Sequence, residues 1–417
     1  MAITGEHIDD VRPTRIVRLV LVDRGGQVLG ALPPFPVDVP WWPDAVAVVA
    51  GARERYGVEV VVLRLLDAER PSPPGGAVTY LAEVRGDVPA RVVEPWAGQL
   101  AEHPLRQRWA RPGGPDADLA WADCVLAAHG RERTSAEQIR TWNLSSLWRL
   151  GTTDGTAWLK VVPPFFAHEA ALLEQLAGKA VPRLLGREGE RTLMPEVPGE
   201  DLYDAPQPVL KAMVRLLVEL QADCASHVDE LVALGLPDWR ADALIPPIAD
   251  IVTRAADELT AEDRATLAGF VDALPDRFRR VAEAGVPDTL VHGDFHPGNF
   301  RGDAESLVLL DWGDSGVGNP LLDQAAYLDR IRPNLFEAIR AVWRRAWLAH
   351  ALASDPDRAA ALVAPVAAAR QAVIYRKFLD KIEPSEQPYH RKDPAEWLAK
   401  TAAIVRAERS DARGGRG

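Results

Sequence analysis

The spacing of apolar residues along the 417-residue chain changes near residue 206. Before it, the apolar positions fall in short runs. Arg15–Val22 (R-I-V-R-L-V-L-V), Val58–Leu66 and Ala77–Val84 each predict a strand. Asp23-Arg24-Gly25-Gly26 is a turn, so Gln27–Leu32 is expected to return as a hairpin partner. Trp41–Tyr56 predicts a helix and Pro71–Gly76 a loop, which gives an α+β unit of its own. The stretch Gly86–Gly130 is rich in Pro, Gly and Trp and contains a helix at Asp118–His129, capped by Asp116 or Asp118. Gln138–Trp142, Leu147–Leu150 and Ala157–Val162 predict three further strands, turning at Asn143–Ser146 and Gly151–Gly155. Beyond residue 206 the apolar positions take helical spacing over Pro208–His227, Pro247–Leu259, Ala261–Gly285, Gly318–Ala353, Pro356–Leu379 and Asp393–Arg406. The expected organisation is an N-terminal unit over 1–110, a linker with its helix over 111–134, a β-rich lobe over 135–203, a helical lobe over 204–409 and a disordered polar tail over 410–417.

One stretch interrupts the helices. Thr289–Asp311 places the short apolar runs Leu290-Val291 and Leu307–Leu310 on either side of a polar loop, H-G-D-F-H-P-G-N-F. Two strands would bring Asp294, Asn299 and Asp311 to one edge. Asp294 and Asn299 have the Asp-x-x-x-x-Asn spacing of a kinase catalytic loop, and Asp311 follows on the next strand. Phosphoryl transfer needs a carboxylate to take the proton of an attacking hydroxyl, the role expected of Asp294. It also needs hard oxygen ligands for Mg²⁺, the role expected of Asn299 and Asp311. Gly293 and Gly298 allow a tight bend, and Pro297 stiffens it.

A lysine and a glutamate upstream complete the pattern. Alternation puts Trp158, Lys160 and Val162 on one strand face. Glu169, Leu172, Leu173 and Leu176 fall on one helical stripe, whereas Glu174 falls off it. An inward glutamate beside a strand lysine is the pair that holds a kinase lysine toward the nucleotide phosphates.

The strings H-G-D-F-H-P-G-N and L-L-D-W-G-D resemble the aminoglycoside phosphotransferase and choline kinase-like family, with the likeness running from about Ser135 to Tyr375. The resemblance implies a bilobal protein-kinase-like α+β fold and an ATP- and Mg²⁺-dependent kinase acting on the hydroxyl of a small molecule. It implies that the loop carrying Ser145 and Ser146 covers the ATP phosphates. Leu193–Leu202 is similar to the hinge, with Met194 lining the back of the pocket and the backbone of Pro195 and Val197 meeting adenine. Asp314 and Asp323 match positions that continue the metal loop and brace the next helix, and Trp158 stands where kinases keep a small residue. The N-terminal unit faintly resembles a Nudix domain, but Ala50, Gly51 and Arg55 stand at three of its four charged places and Glu54 alone is retained, so hydrolase chemistry is not expected. The alternative to an enzyme is a nucleotide-binding pseudokinase or regulatory module.

Charge and composition narrow the partners. The net charge of −12 argues against nucleic acid, which needs a basic surface. It favours a cationic acceptor, and the family resemblance implies an amino sugar or aminoglycoside-like compound held by carboxylates of the helical lobe, where the chain offers Asp223, Asp229, Glu230, Asp329 and Glu383. Two cysteines, Cys124 and Cys224, suggest no disulfide framework. The opening M-A-I-T-G-E-H-I-D-D has no apolar signal core, and no run is long enough to span a bilayer, so a cytoplasmic protein with no membrane partner is expected.

Overall fold

The computed structural model describes residues 13–303 and 306–414. The first twelve residues, including the segment read above as lacking a signal core, lie outside the described residues, as do 304–305 and the last three positions of the polar tail. No helix among the described residues is long and apolar enough to cross a membrane.

The first sheet is built on β1 (Arg15–Val22). It pairs antiparallel with β2 (Val28–Ala31) and β3 (Phe35–Val37) on one side and parallel with β5 (Gly76–Val84) on the other, and β5 pairs antiparallel with β4 (Val60–Ala68). α1 (Val46–Tyr56) buries Val48 and Ala52. It starts later than the sequence suggests because Trp42 precedes Pro43, and a residue before proline is kept out of the helical region. Glu54 stands exposed on α1 between two exposed arginines.

α2 (Gly114–Ala128) is not a spacer. Leu119, Ala122 and Leu126 on its inner face share a core with Val20, Val61 and Leu81 of the first sheet and Leu150, Leu159 and Leu193 of a second sheet. It begins four residues before the expected position, with Pro115 in the first turn. The expected acidic cap is absent because Gly113 takes the N-cap position and both aspartates fall inside the helix. Asp116 pairs with Arg85, and Asp118 is buried against Arg191 at 2.9 Å and Arg108 at 3.1 Å.

The second sheet has the order β6 (Arg133–Trp142), β7 (Ser145–Thr152), β8 (Gly155–Val161), β10 (Arg191–Pro195), β9 (Gly186–Glu188), with α3 (His168–Gln175) packed between β8 and β9 in sequence. β11 (Glu200–Asp201) leads to the helical part: α4 (Gln207–Cys224), α5 (Val228–Ala233), α6 (Ala241–Arg254) and α7 (Ala261–Glu283). Four short strands follow, β12 (Thr289–Val291), β13 (Phe300–Gly302), β14 (Leu307–Leu309) and β15 (Gly316–Gly318). The long helix expected over Gly318–Ala353 is divided into α8 (Leu322–Leu328) and α9 (Phe336–His350), separated by a turn containing Pro333. α10 (Pro356–Leu379) and α11 (Asp393–Gly414) close the chain, with α11 continuing helically where a disordered tail was expected to begin.

Candidate active site

The two apolar runs around the polar loop do not pair with each other. β12 pairs with β15, Leu290 opposite Val317, while β14 pairs with β13, Leu309 opposite Phe300. The sequence reading did not assign β13 or β15, each three residues long. The loop His292–Asn299 therefore hangs between two small ladders, and Asp311 follows β14. Gly293 has φ +91°, and a Cβ there would meet the Asp314 carbonyl oxygen at 2.0 Å, so the close approach demands glycine. Asp311 itself has φ 59° and ψ 66°, a left-handed conformation that a residue with a side chain adopts at a cost.

Buried polar groups hold this loop. Asp323 accepts hydrogen bonds from the backbone N–H groups of His292 and Gly293, both at 2.8 Å, and from Gln221 Nε2 at 2.9 Å. Arg370 Nη2 and Gln371 Nε2 of α10 donate to the Gly293 carbonyl at 2.7 and 3.0 Å. Burial pushes the pKa of His292 down to about 4, which keeps the ring neutral. Its Nε2 then donates to the Leu310 carbonyl at 2.9 Å, and Nδ1 accepts from the Asp294 N–H at 3.3 Å. Asn299 Nδ2 donates to the Asp294 carbonyl at 2.8 Å and lies 3.3 Å from Asp294 Oδ2. His296 Nε2 lies 3.5 Å from the same carboxylate oxygen.

Lys160 Nζ lies 2.8 Å from both Glu169 Oε1 and Asp311 Oδ1. Burial disfavours the ammonium, but Asp311 and Glu169 outweigh it and hold its pKa above the ordinary value. Burial likewise acts to raise the Asp311 carboxyl, and Lys160 prevails, keeping it well below the usual range. Glu169 also accepts from the Trp312 N–H at 3.1 Å, so one carboxylate joins α3, β8 and the segment after β14. Glu174 faces away and pairs with Arg187. Asp314 is pushed up to about 7 by burial, with Asp294 adding to the shift.

The expected nucleotide residues are placed unevenly. Met194, Pro195 and Val197 lie half-buried along β10 and the segment after it. Trp158, on the lysine face of β8, donates from Nε1 to Glu196 Oε2 at 2.5 Å, so its indole reaches the segment expected to act as the hinge. Ser146 departs from the expected phosphate-facing position. It is 1% exposed, inside β7 rather than in a loop, and its hydroxyl accepts from Trp148 Nε1 at 3.1 Å. Ser145 accepts from Trp142 Nε1 at 3.1 Å.

A cavity of about 930 Å³ opens onto Asp294 and Asp314. Arg330, Tyr375, Asp393 and Trp397 line one side, and Trp41, Asp44 and Pro73-Pro74 of the first sheet's loops line another. Lys160, Met194, Pro195 and Val197 do not border it. Of the five carboxylates offered above for a cationic acceptor, Asp329 alone lines this cavity, and it is paired with Lys400. Asp223 pairs with Lys179, Asp229 is 94% exposed, and Glu383 is buried against Arg106 at 2.9 Å. Among the described residues no cluster of three or more His, Cys, Asp or Glu could hold a metal by itself.

The sequence profile of the phosphotransferase enzyme family matches residues 135–362, which include the lysine–glutamate pair and all three residues of the polar loop. The chain belongs to this family. It is a small-molecule kinase with an added N-terminal sheet outside the matched region. No curated protein matches it. Solved structures that match the chain include a macrolide 2'-phosphotransferase from Brachybacterium faecium, 18% identical, covering 68% of this chain and 98% of that one with a TM-score of 0.48. A choline kinase from Cryptosporidium parvum is 11% identical over 67% and 90% of the two chains, with a TM-score of 0.49. A putative fructosamine-3-kinase from Thermobifida fusca is 19% identical over 68% and 96%, with a TM-score of 0.46.

Sequence reading missed Arg370 and Gln371 of the phosphotransferase, although a signal was present: two polar residues stand inside the apolar run A-A-A-R-Q-A-V-I. It also missed Asp44, Trp41 and Arg140 at the cavity, where no local signal exists.

Proposed function

We propose that this phosphotransferase moves the γ-phosphoryl group of ATP to a hydroxyl of a small molecule bound in the 930 Å³ cavity. The observation that carries the reading is that the cavity reaches Asp294 without touching Lys160 or the hinge, so donor and acceptor would approach the carboxylate from separate sides. Lys160, held by Glu169, takes the α- and β-phosphates, and the adenine lies along Met194, Pro195 and Val197 under the Trp158 indole. Asp294 receives the acceptor proton, with His296 and Asn299 orienting its carboxylate. The acceptor oxygen forms a bond to the γ-phosphorus as the bond to the bridging β–γ oxygen breaks, and ADP leaves with those electrons.

Asn299 and Asp311 fit a shared Mg²⁺ site. The amide nitrogen of Asn299 is committed to Asp294, which leaves its carbonyl as a hard oxygen donor, and Asp311 is held ionised. Two protein oxygens completed by phosphates and water suit this ion. When bound, it would neutralise the phosphate charge.

The acceptor is a hydroxylated compound bearing at least one ammonium group. The half-buried lining carries Asp44, Asp294, Asp314 and Asp393 against Arg140, Arg330 and Lys400, and Lys400 is paired with Asp329, so carboxylates outnumber the remaining half-buried cations there, while Arg391 and Lys392 lie exposed. Carboxylates shielded from water hold ammonium groups through charge-assisted hydrogen bonds. An ADP-release assay with kanamycin, glucosamine, choline and a macrolide, each beside a neutral or anionic analogue, tests the reading. Added salt should raise the acceptor KM more than the ATP KM. Higher kcat/KM for the neutral or anionic analogues than for every amine would refute the ammonium assignment.

A further inference from the structure

We propose that the N-terminal sheet is a wall of the acceptor site, with Trp41 and Asp44 contacting the acceptor in the cavity that Asp294 also borders. The inference rests on the assignment of the cavity as the acceptor site. The catalytic family profile begins only at residue 135, yet Trp41, Asp44 and the loop Ser72–Pro74 line the same cavity as Asp294 and Asp314.

Buried polar groups fix these wall segments from behind. Arg15 is fully buried, and its Nη1 donates to the carbonyls of Trp41 at 2.6 Å and of Trp42 and Asp44 at 3.1 Å each. Trp42 Nε1 donates to the Gly75 carbonyl at 2.8 Å, and the Gly75 N–H donates to the Pro40 carbonyl at 2.8 Å. The two loops that face the cavity are therefore tied to each other. A segment without regular structure holds one shape when its backbone groups are satisfied in this way.

The wall is also fixed to the catalytic body. Backbone bonds run from Thr141 N–H to the Pro43 carbonyl at 3.0 Å and from Ala45 N–H to the Ile139 carbonyl at 3.1 Å, bracketing the bridge between Asp44 and Arg140. Trp42 and Trp142 both pack edge-on against Tyr389, at 5.8 and 5.7 Å between ring centroids. An indole and a carboxylate held in the wall of the cavity that Asp294 also borders offer an apolar face and, at Asp44 Oδ2, an anionic point to a bound molecule, Asp44 Oδ1 being turned to the Ala47 N–H at 3.2 Å and to Arg15 Nη2 at 3.8 Å. That pairing suits an amine-bearing ring system.

The test uses the full chain and kanamycin, glucosamine, choline and the macrolide as probes in the ADP-release assay, taking forward the one with the highest kcat/KM. Trp41→Ala, Asp44→Asn and the cavity-filling Ser72→Trp are each expected to raise the acceptor KM roughly tenfold or more, with the ATP KM within about twofold, as loss of about one good contact predicts. Circular dichroism and thermal unfolding establish that each variant is folded, and Asp44→Asn retains an oxygen for the Ala47 N–H that Asp44 caps. Acceptor KM values unchanged in all three folded variants would overturn the wall while leaving the kinase reading intact. No ADP release by the wild type with any probe would defeat the kinase reading, and the wall with it.

Discussion

The task proposed for Asp294 depends on the neighbours that hold it. His296 and Asn299 both reach its carboxylate, and the neutral His292 ring fixes the backbone before it. Asp294→Asn keeps the shape and removes the proposed proton acceptor. Transfer should fall by about two to four orders of magnitude, the usual range for losing a positioned base, while ATP affinity measured by calorimetry stays within a few-fold. Single-turnover transfer near the wild-type rate would remove Asp294 from the mechanism. Trp158 is proposed to lie on the nucleotide side. Its indole is bonded to Glu196, between Pro195 and Val197 of the proposed hinge, so Trp158→Ala should alter the ATP KM by several-fold and leave the acceptor KM in place. A change confined to the acceptor KM would contradict that placement.

At the scale of elements, α2 decides how the two sheets behave together. Leu126 is fully buried in a core built from both sheets. Leu126→Ala should lower stability by roughly 2–5 kcal/mol, the cost of a large-to-small change in a packed core. Because the helix serves both sheets, denaturant unfolding followed by tryptophan fluorescence and by far-ultraviolet circular dichroism should shift together. Separate transitions would show that the sheets unfold independently. A periodic apolar pattern announces such a helix but not what it covers, and Asp118, which could pass for a cap, is instead a buried partner of Arg191.

Across the whole molecule, β4 meets the far end of the chain. The Leu65 N–H donates to Glu386 Oε1 at 2.7 Å across 321 residues, and Arg106 and Arg64 converge on Glu383 beside it. Burial pushes the Glu386 carboxyl up to about 8 from 4.5, with Glu383 adding to the shift. The sign follows directly. Below pH 4.5 both folded and unfolded forms are protonated and the group is neutral toward folding. Between about 4.5 and 8 the unfolded form ionises while the folded form keeps its proton, so stability falls as pH rises through that window. Glu386→Gln retains the oxygen that Leu65 needs and has nothing to titrate. Its Tm should therefore decline less than that of the wild type between pH 5 and pH 8, and equal slopes would assign the pH dependence to other groups.

What the sequence determined by itself was the chemistry carried by short spacings. Asp294 and Asn299 are five residues apart in a loop stiffened by Pro297, and Glu169 is nine residues from Lys160 across one connection. Over such distances backbone geometry leaves few arrangements, so residue type and spacing nearly define the contact. Tertiary structure decided everything that depends on which face meets which. The short strands β13 and β15 exist only through their partners, and Ser146 turns inward because β7 begins before it and Trp148 covers it. The joining of Trp41 and Asp44 to a cavity also lined by Asp294 is of the same kind. Those residues are about 250 positions apart in sequence, and no local pattern encodes a meeting that packing between separate elements brings about.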